Sequence, residues 1–257
     1  MNIVVCLKQT FDTEAKIVLD SKGKIDSTGV NLVINPYDEF AVEEALKLKE
    51  KFGGEVTLVS MGGERVQESL RTALAMGCDQ AILVNDPLIE NPDEWVTAEI
   101  LAKAISQIPH DIILGGRIAV DDGSSQVAIR VADALNIPSI SSILKLEVED
   151  NKATVTKEID GGTEIIEVDL PVVVTAQKGL NIPRYPSMMG IMKAKKKEIK
   201  ILTLADLGIS LADIPQKMTA AKYSLPSPRK GGIKITGEAA DSARELARIL
   251  REEAKVI

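Results

Sequence analysis

The sequence predicts an α/β protein: a mainly parallel, three-layer α/β/α sheet with an antiparallel extension and a C-terminal arm. Three observations carry this. Short apolar, β-branched runs alternate with segments of helical period through the first half of the chain, which implies right-handed βαβ crossovers. From Ser139 onward, strand-like runs are separated by Asp150-Asn151 and Asp160-Gly161-Gly162, which are hairpin signals. The last fifty residues hold Pro215, Pro226, Pro228 and Gly231-Gly232 and have few core residues of their own.

Taken in order, Ile3 to Leu7 is a continuous apolar strand, as expected at the centre of a parallel sheet covered on both faces. A loop, Lys8 to Thr13, leads into an insertion around Ser21-Lys22-Gly23-Lys24 that reads as a hairpin. Asn35-Pro36-Tyr37-Asp38-Glu39 starts a helix, with Asn35 as the cap and the early acids matching the dipole. That helix runs to Phe52 with Ala41, Ala45, Leu48 and Phe52 inward, and Gly53-Gly54 ends it. Val56–Val59 is the next strand, then Ser60-Met61-Gly62-Gly63 turns into a helix with Val66, Leu70 and Ala73 on one face, closed by Gly77. Ala81–Val84 is a strand, Trp95–Ile108 a helix with Ala98, Leu101 and Ile105 inward, and Ile112–Leu114 a strand. A helix with Val127, Val131 and Leu135 follows; then come the antiparallel runs Ile140–Val148, Ala153–Lys157 and Glu164–Val168.

Val172–Ala176, introduced by Pro171, is a buried strand. Behind it Pro183 and Pro186 enforce irregular backbone carrying Leu180, Tyr185, Met188 and Met189, and a basic helix with Lys193, Lys195, Lys196 and Lys197 follows. An apolar tip beside a cationic collar fits docking of a partner, and methionines suit it because they refit to different surfaces. A proline-fixed loop folded onto its own domain is the alternative. The chain continues with strand Ile201–Leu204, a turn at Ala205–Leu207, and a terminal helix Asp241–Ala254 whose narrow apolar face (Ala243, Leu246, Ala247, Leu250) fits a partner or the chain's own domain.

Composition excludes several functions. A net charge of −7 and an aromatic content of 3% argue against nucleic acid as a partner. The sole histidine, His110, precludes a His-based triad, and no metal-ligand spacing occurs. Cys6 and Cys78 read as small buried residues of a cytoplasmic protein, and no apolar run reaches membrane-spanning length.

Ligands of such a sheet sit at the C-terminal ends of the strands. The richest loop there runs Gly115-Gly116-Arg117-Ile118-Ala119-Val120-Asp121-Asp122-Gly123-Ser124-Ser125-Gln126-Val127. Its glycines allow close backbone approach, and Ser124 and Ser125 at a helix start add hydroxyls where the dipole favours an anion. Asp121 and Asp122 oppose that anion, which points to one monophosphate rather than a metal-bound triphosphate. A plain βα loop with a serine cap is the other reading of these residues.

The order Gly179-Leu180-Asn181-Ile182-Pro183-Arg184-Tyr185, then Ile191-Met192-Lys193-Ala194-Lys195-Lys196-Lys197, resembles the signature of electron transfer flavoprotein β subunits, and the resemblance extends over essentially all 257 residues. It implies a fold of the adenine-nucleotide-binding type in residues 1–204, with a recognition loop at 179–199, and an arm at 205–257 packing on an α subunit. It implies a heterodimer in which the α subunit holds most of the redox FAD and this chain performs no catalysis of its own. AMP would bind at Cys6, Asn35, Ser60, Met61, Gly116, Val120, Asp121, Asp122, Gly123, Ser124, Ser125, Gln126 and Val127, with Tyr37 approaching the flavin. Tyr185, Met188, Met189, Ile191 and Lys193 would dock an acyl-CoA or other dehydrogenase, Met188 standing where the family has an anchoring leucine. Electrons of fatty acid β-oxidation would then reach a membrane quinone oxidoreductase. Bifurcating relatives hold a second FAD in place of AMP and oxidise NADH; their loop usually ends Gly-Pro, where this chain has Ala128-Ile129, which favours AMP. A free-standing nucleotide-binding domain is the remaining alternative.

Overall fold

In the computed structural model, residues 1–228 and 231–257 are described. The chain divides into two compact units, one of Met1–Lys16 with Asp26–Ala221, the other of Ile17–Ile25 with Lys222–Ile257.

The larger unit is built on a nine-stranded sheet whose strands are, in chain order, β1 (Asn2–Cys6), β4 (Glu55–Met61), β5 (Gln80–Val84), β6 (Ile112–Gly116), β7 (Ser139–Glu149), β8 (Lys152–Ile159), β9 (Gly162–Asp169), β10 (Val172–Ala176) and β11 (Ile199–Leu202). Outside that sheet, β2 (Gln9–Phe11) and β3 (Leu32–Ile34) pair antiparallel. The spatial order is β11-β5-β4-β1-β6-β10-β7-β8-β9. Six strands from β11 to β10 run parallel; β7 joins them in parallel through β10, and β8 and β9 continue antiparallel. The mainly parallel three-layer sheet with an antiparallel extension is therefore as the sequence predicts.

Alternation along β1 explains the layers. Ile3 and Val5 face a core shared with α1 (Pro36–Phe52) and α2 (Val66–Met76), while Val4 and Cys6 face a second core shared with α3 (Glu94–Ile105) and α4 (Val127–Leu135). The path goes from β1 outward to β4 and β5, then returns to β6 on the other side of β1. That reversal opens a crevice between β1 and β6, the usual ligand position in such sheets. The hairpin joining β7 to β8 turns through Asp150 and Asn151, both at positive φ (43° and 66°), as the two-residue turn requires.

Several local expectations are corrected. The loop Lys8–Thr13 contains β2, and the insertion is no hairpin of paired strands: in the smaller unit a single bridge links Leu19 and Ile25. Asp20 takes the N–H groups of Lys22 and Lys24 in that turn, which satisfies the backbone without a ladder. Phe52 is 40% exposed under Lys51, and Val42 and Leu46 complete the buried face of α1 instead. The helix α5 (Met188–Ala194) stops before Lys195, so Lys193 alone of the four lysines is helical. Strand β11 begins two residues earlier than predicted, and Leu204–Leu207 forms a short helix, α6, opened by a Thr203–Asp206 capping box.

The smaller unit also contains α7 (Ala239–Arg248), which continues as a π-helical segment, Ile249–Glu253. Arg248 pairs with Glu245, Glu252 and Glu253, and none of the α7 side chains is buried. No helix among the described residues is long and apolar enough to cross a membrane.

Candidate functional site

The crevice at the β1/β6 reversal opens into a cavity of about 580 Å³. Its walls come from the strand ends and following loops of β1, β4, β5 and β6, together with the first residues of α4, part of α3 and Thr175 of β10.

One buried carboxylate organises the floor. Asp38, in the first turn of α1, accepts the Lys8 N–H at 2.7 Å and the Gly116 N–H at 2.8 Å, so it ties the end of β1 to the end of β6. A side chain at Gly116 would collide with Asp38 Oδ1 and with Tyr37, which is why glycine stands there. Burial raises the Asp38 pKa to about 6, although both N–H groups and the nearby Lys8 charge pull the other way. Burial, with the Asp38 charge behind it, pushes the neighbouring Cys6 thiol up to about 12, so it is an inert wall. Burial likewise drives Cys78 up to about 12, and both cysteines are free.

Asn35 works beside Asp38, and differently from the predicted cap. Its side chain makes no capping bond; it donates to Ile118 O at 2.9 Å and accepts from Val120 N at 3.2 Å. Both halves of the amide hold the loop after β6. Ser60 is buried, its hydroxyl donating to Leu7 O at 2.6 Å. It braces two strand ends from outside the cavity.

The loop acids are bridged by a residue that sequence pattern does not single out. Lys8 Nζ pairs with Asp121 at 2.8 Å and Asp122 at 2.6 Å. Burial opposes ionisation of Asp122, but the Lys8 bond and the Ser124 N–H outweigh it and hold the acid below its ordinary range. One lysine against two carboxylates halves the negative charge that a phosphate would meet. Ser124 and Ser125 line the cavity but are not helix caps: α4 begins at Val127 after Gln126, and Ser125 sits at a φ of 55°. The Gln126 side-chain Oε1 accepts from the Arg130 guanidinium, at 2.7 and 3.1 Å.

Of the residues predicted for the nucleotide, Cys6, Asn35, Met61, Gly116, Asp122, Ser124, Ser125, Gln126 and Val127 line the cavity. Ser60, Val120, Asp121 and Gly123 do not line it, the last three being exposed, and neither does Tyr37, half-buried, with the Arg117 guanidinium 6.0 Å from its ring. Lys8, Asp38, Arg117 and a wall from Val84 to Thr97 are lining residues that the sequence reading did not select. Asp38 had been legible as an acid in a first turn, a pattern that does not reveal what the acid touches.

The loop after β10 is a second candidate surface, fixed on α1. Asn181 donates to Phe40 O and to Glu44, each at 2.9 Å. Arg184 meets the buried Glu43 through two guanidinium nitrogens at 2.8 and 2.9 Å and through its backbone N–H, and reaches Glu50 at 2.6 Å. Ser187 caps α5 through the Gly190 N–H, and Gly190 packs so closely on Ala75 O that any Cβ would clash. Arg71 holds the carbonyls of Ala194 and Lys197, while Lys197 donates to Cys78 O. With the backbone so held, Tyr185 is 94% exposed, Met188 79%, Met189 66% and Met192 68%. Ile191 and Lys193 are exposed alongside. Leu180, predicted to share the tip, is buried in the core instead.

A model of the electron transfer flavoprotein domain family matches residues 22–207. The chain is 48% identical to the electron transfer flavoprotein subunit beta of Bacillus subtilis strain 168 over 258 residues, covering 100% of both. The chain belongs to the electron transfer flavoprotein β-subunit family. It is also 46% identical to the subunit beta of Syntrophomonas wolfei over 257 residues, covering 100% of this chain and 98% of the relative. The caffeyl-CoA reductase-Etf complex subunit CarD of Acetobacterium woodii is 38% identical over 242 residues, 92% of each chain. Membership in this flavoprotein family gives the chain a role in electron transfer.

Proposed function

We propose that this chain is the small subunit of a heterodimeric electron transfer flavoprotein that binds AMP in the β1/β6 cleft and docks an acyl-CoA or other dehydrogenase at the tip formed by Tyr185, Met188, Met189, Ile191 and Lys193. The single observation that carries the docking is the exposure of four large side chains on a backbone held by Arg184, Asn181 and Gly190. A loop fixed in place meets a partner with little ordering cost. Electrons pass to a quinone-linked oxidoreductase at the membrane, and residues 205–257 form an arm on the α subunit.

The cleft fits an adenine nucleotide by its donor set and size. Glycine-rich backbone after β6, the start of α4 and the serines at 124 and 125 present donors to one side, and a cavity of about 580 Å³ lies in the ordinary range of small-ligand sites. Asp38 and Asn35 fix the loops after β1 and β6 in place, and Lys8 bridges Asp121 and Asp122. FAD bound in the heterodimer supplies the redox chemistry; AMP supplies none and stabilises the native chain by binding it preferentially. Tyr37, in the first turn of α1, is on this reading the aromatic that approaches the flavin. With Cys6 and Cys78 buried and free, the reducing cytoplasm suits the chain.

A second reading is favoured by the similarity to CarD, a subunit of a caffeyl-CoA reductase-Etf complex: a bifurcating protein with a second FAD in place of AMP. Denaturing the purified heterodimer and counting released nucleotides separates the two. One FAD and one AMP per complex support the simple carrier; two FAD and no AMP replace it with the bifurcating reading.

A further inference from the structure

The cleft contains an uncommitted cation. Among the described residues lining it, the cationic side chains are Lys8 and Arg117. Lys8 is taken by Asp121 and Asp122. Arg117 makes no ion pair and no side-chain hydrogen bond among the described residues, and its Nε is buried without a partner. None of the wall acids pairs with it: Asp38 accepts the Lys8 and Gly116 N–H groups, Asp86 those of Leu88 and Leu204, Asp93 those of Val96, Lys217 and Met218, Asp122 is held by Lys8, and Glu94 makes no ion pair with Arg117.

Arg117 is nevertheless well placed. Its backbone N–H donates to Ala176 O at 3.0 Å, which fixes it at the end of the β6–β10 pairing directly after Gly115-Gly116. Its guanidinium lies 6.0 Å from the Tyr37 ring. A buried N–H with no acceptor is unfavourable unless something fills the position. A planar fork of donors on a residue that lines the cleft directly after two glycines matches a phosphate better than any neutral group.

We propose that Arg117 is the anion-binding side chain of this cleft and takes the phosphate oxygens of the bound nucleotide. This rests on the nucleotide reading above. Arg117 sets the preference for a phosphorylated nucleoside, and the remainder of the cleft holds the nucleoside itself.

The test compares AMP with adenosine by calorimetric titration of the full chain, stripped of nucleotide by denaturation and refolded, in wild type, Arg117→Gln and Arg117→Lys. Wild type is expected to bind AMP at least tenfold more tightly than adenosine. In Arg117→Gln that ratio falls by about tenfold with adenosine affinity unchanged, and Arg117→Lys, which keeps a charge without the fork, lies between. A wild-type ratio in both variants overturns the assignment and leaves the nucleotide site standing. So does an equal loss of AMP and adenosine, which marks Arg117 as part of the frame. If wild type binds neither compound, the nucleotide reading fails and Arg117 falls with it. Should the glutamine variant not refold, the lysine variant gives the same comparison.

Discussion

The cleft and the loop after β10 are two surfaces held by one helix, and they use the same device to opposite ends. At the start of α1, Asn35 donates and accepts and Asp38 accepts, fixing the strand-end loops that border the cavity. One to four turns on, Phe40 O, Glu43, Glu44 and Glu50 grip Asn181 and Arg184 and so thrust Tyr185 and Met188 outward. In both places buried acids are matched by donors whose positions the backbone fixes. A polar frame therefore makes a concave polar site in one case and a convex apolar site in the other. The signature residues Asn181 and Arg184 belong to the frame; the side chains available to a partner are the ones between and beyond them.

The sharpest way to break the comparison is to remove one frame without the other. Arg184→Ala leaves Glu43 buried and unpaired, which should cost about 3 kcal/mol, at the low end for a buried pair because Arg184 is itself about a third exposed. Urea denaturation measures that loss, and limited proteolysis should cut near residues 179–187 while nucleotide content stays at the wild-type level. Loss of nucleotide in the same variant would show that α1 transmits strain from one site to the other.

The reciprocal change is Gly116→Ala. The added Cβ strikes Asp38 Oδ1 and Tyr37 and must push α1 from the end of β6, at about 2 kcal/mol. Purified protein should carry less nucleotide, with the proteolysis pattern of the β10 loop unchanged. Retained nucleotide would mean that the close approach of β6 to α1 does not shape the cleft.

A smaller effect concerns the charge on Asp38. Its folded pKa is raised to about 6 from an ordinary 3.8, so the folded protein holds a proton that the unfolded chain has released between those values. The contribution of this proton favours the fold fully below pH 4 and is lost as pH rises through about 6. Relative to Asp38→Asn, which has no such proton, the wild type should gain about 1 kcal/mol on going from pH 7 to pH 5. Denaturation midpoints of both proteins at the two pH values measure it, and a parallel pH response would place the Asp38 titration elsewhere.

The sequence made the frame's scaffold legible and hid its contacts. Continuous β-branched runs at Ile3 and Val172, glycine stops at Gly53 and Gly77, and the Asp150-Asn151 turn each carry their signal within a few residues, so the strands, helices and hairpins follow from local chemistry. Asn35 was read as a cap because the local pattern says cap, yet its partners Ile118 and Val120 lie more than eighty residues away. Lys8 meets Asp121 and Asp122 at a similar separation, and no periodicity points from one to the other. Leu180 looked like part of the tip because its neighbours are; the fold turns it into the core while leaving Met188 out. Pairings that close over a hundred residues are set by topology, which sequence pattern gives only as a class.

The smallest change in stability should come from the most exposed part of the loop, and that is what sharpens the comparison. Met188 is 79% exposed, so Met188→Ala removes little buried surface and should shift stability by less than about 0.5 kcal/mol. If the frame exists to present this side chain, its removal should still slow electron transfer from a dehydrogenase by about tenfold, since an anchor buried in a partner contributes on the order of 1 to 2 kcal/mol. Stopped-flow transfer rates with an acyl-CoA dehydrogenase, read beside unchanged flavin and nucleotide content, measure this. An unchanged rate would move the contact to Tyr185 or Met192, which share the exposed face and are mounted on the same frame. An unchanged rate in all three variants would leave a rigid loop with no docking role, and the likeness between the two sites would then be one of construction alone.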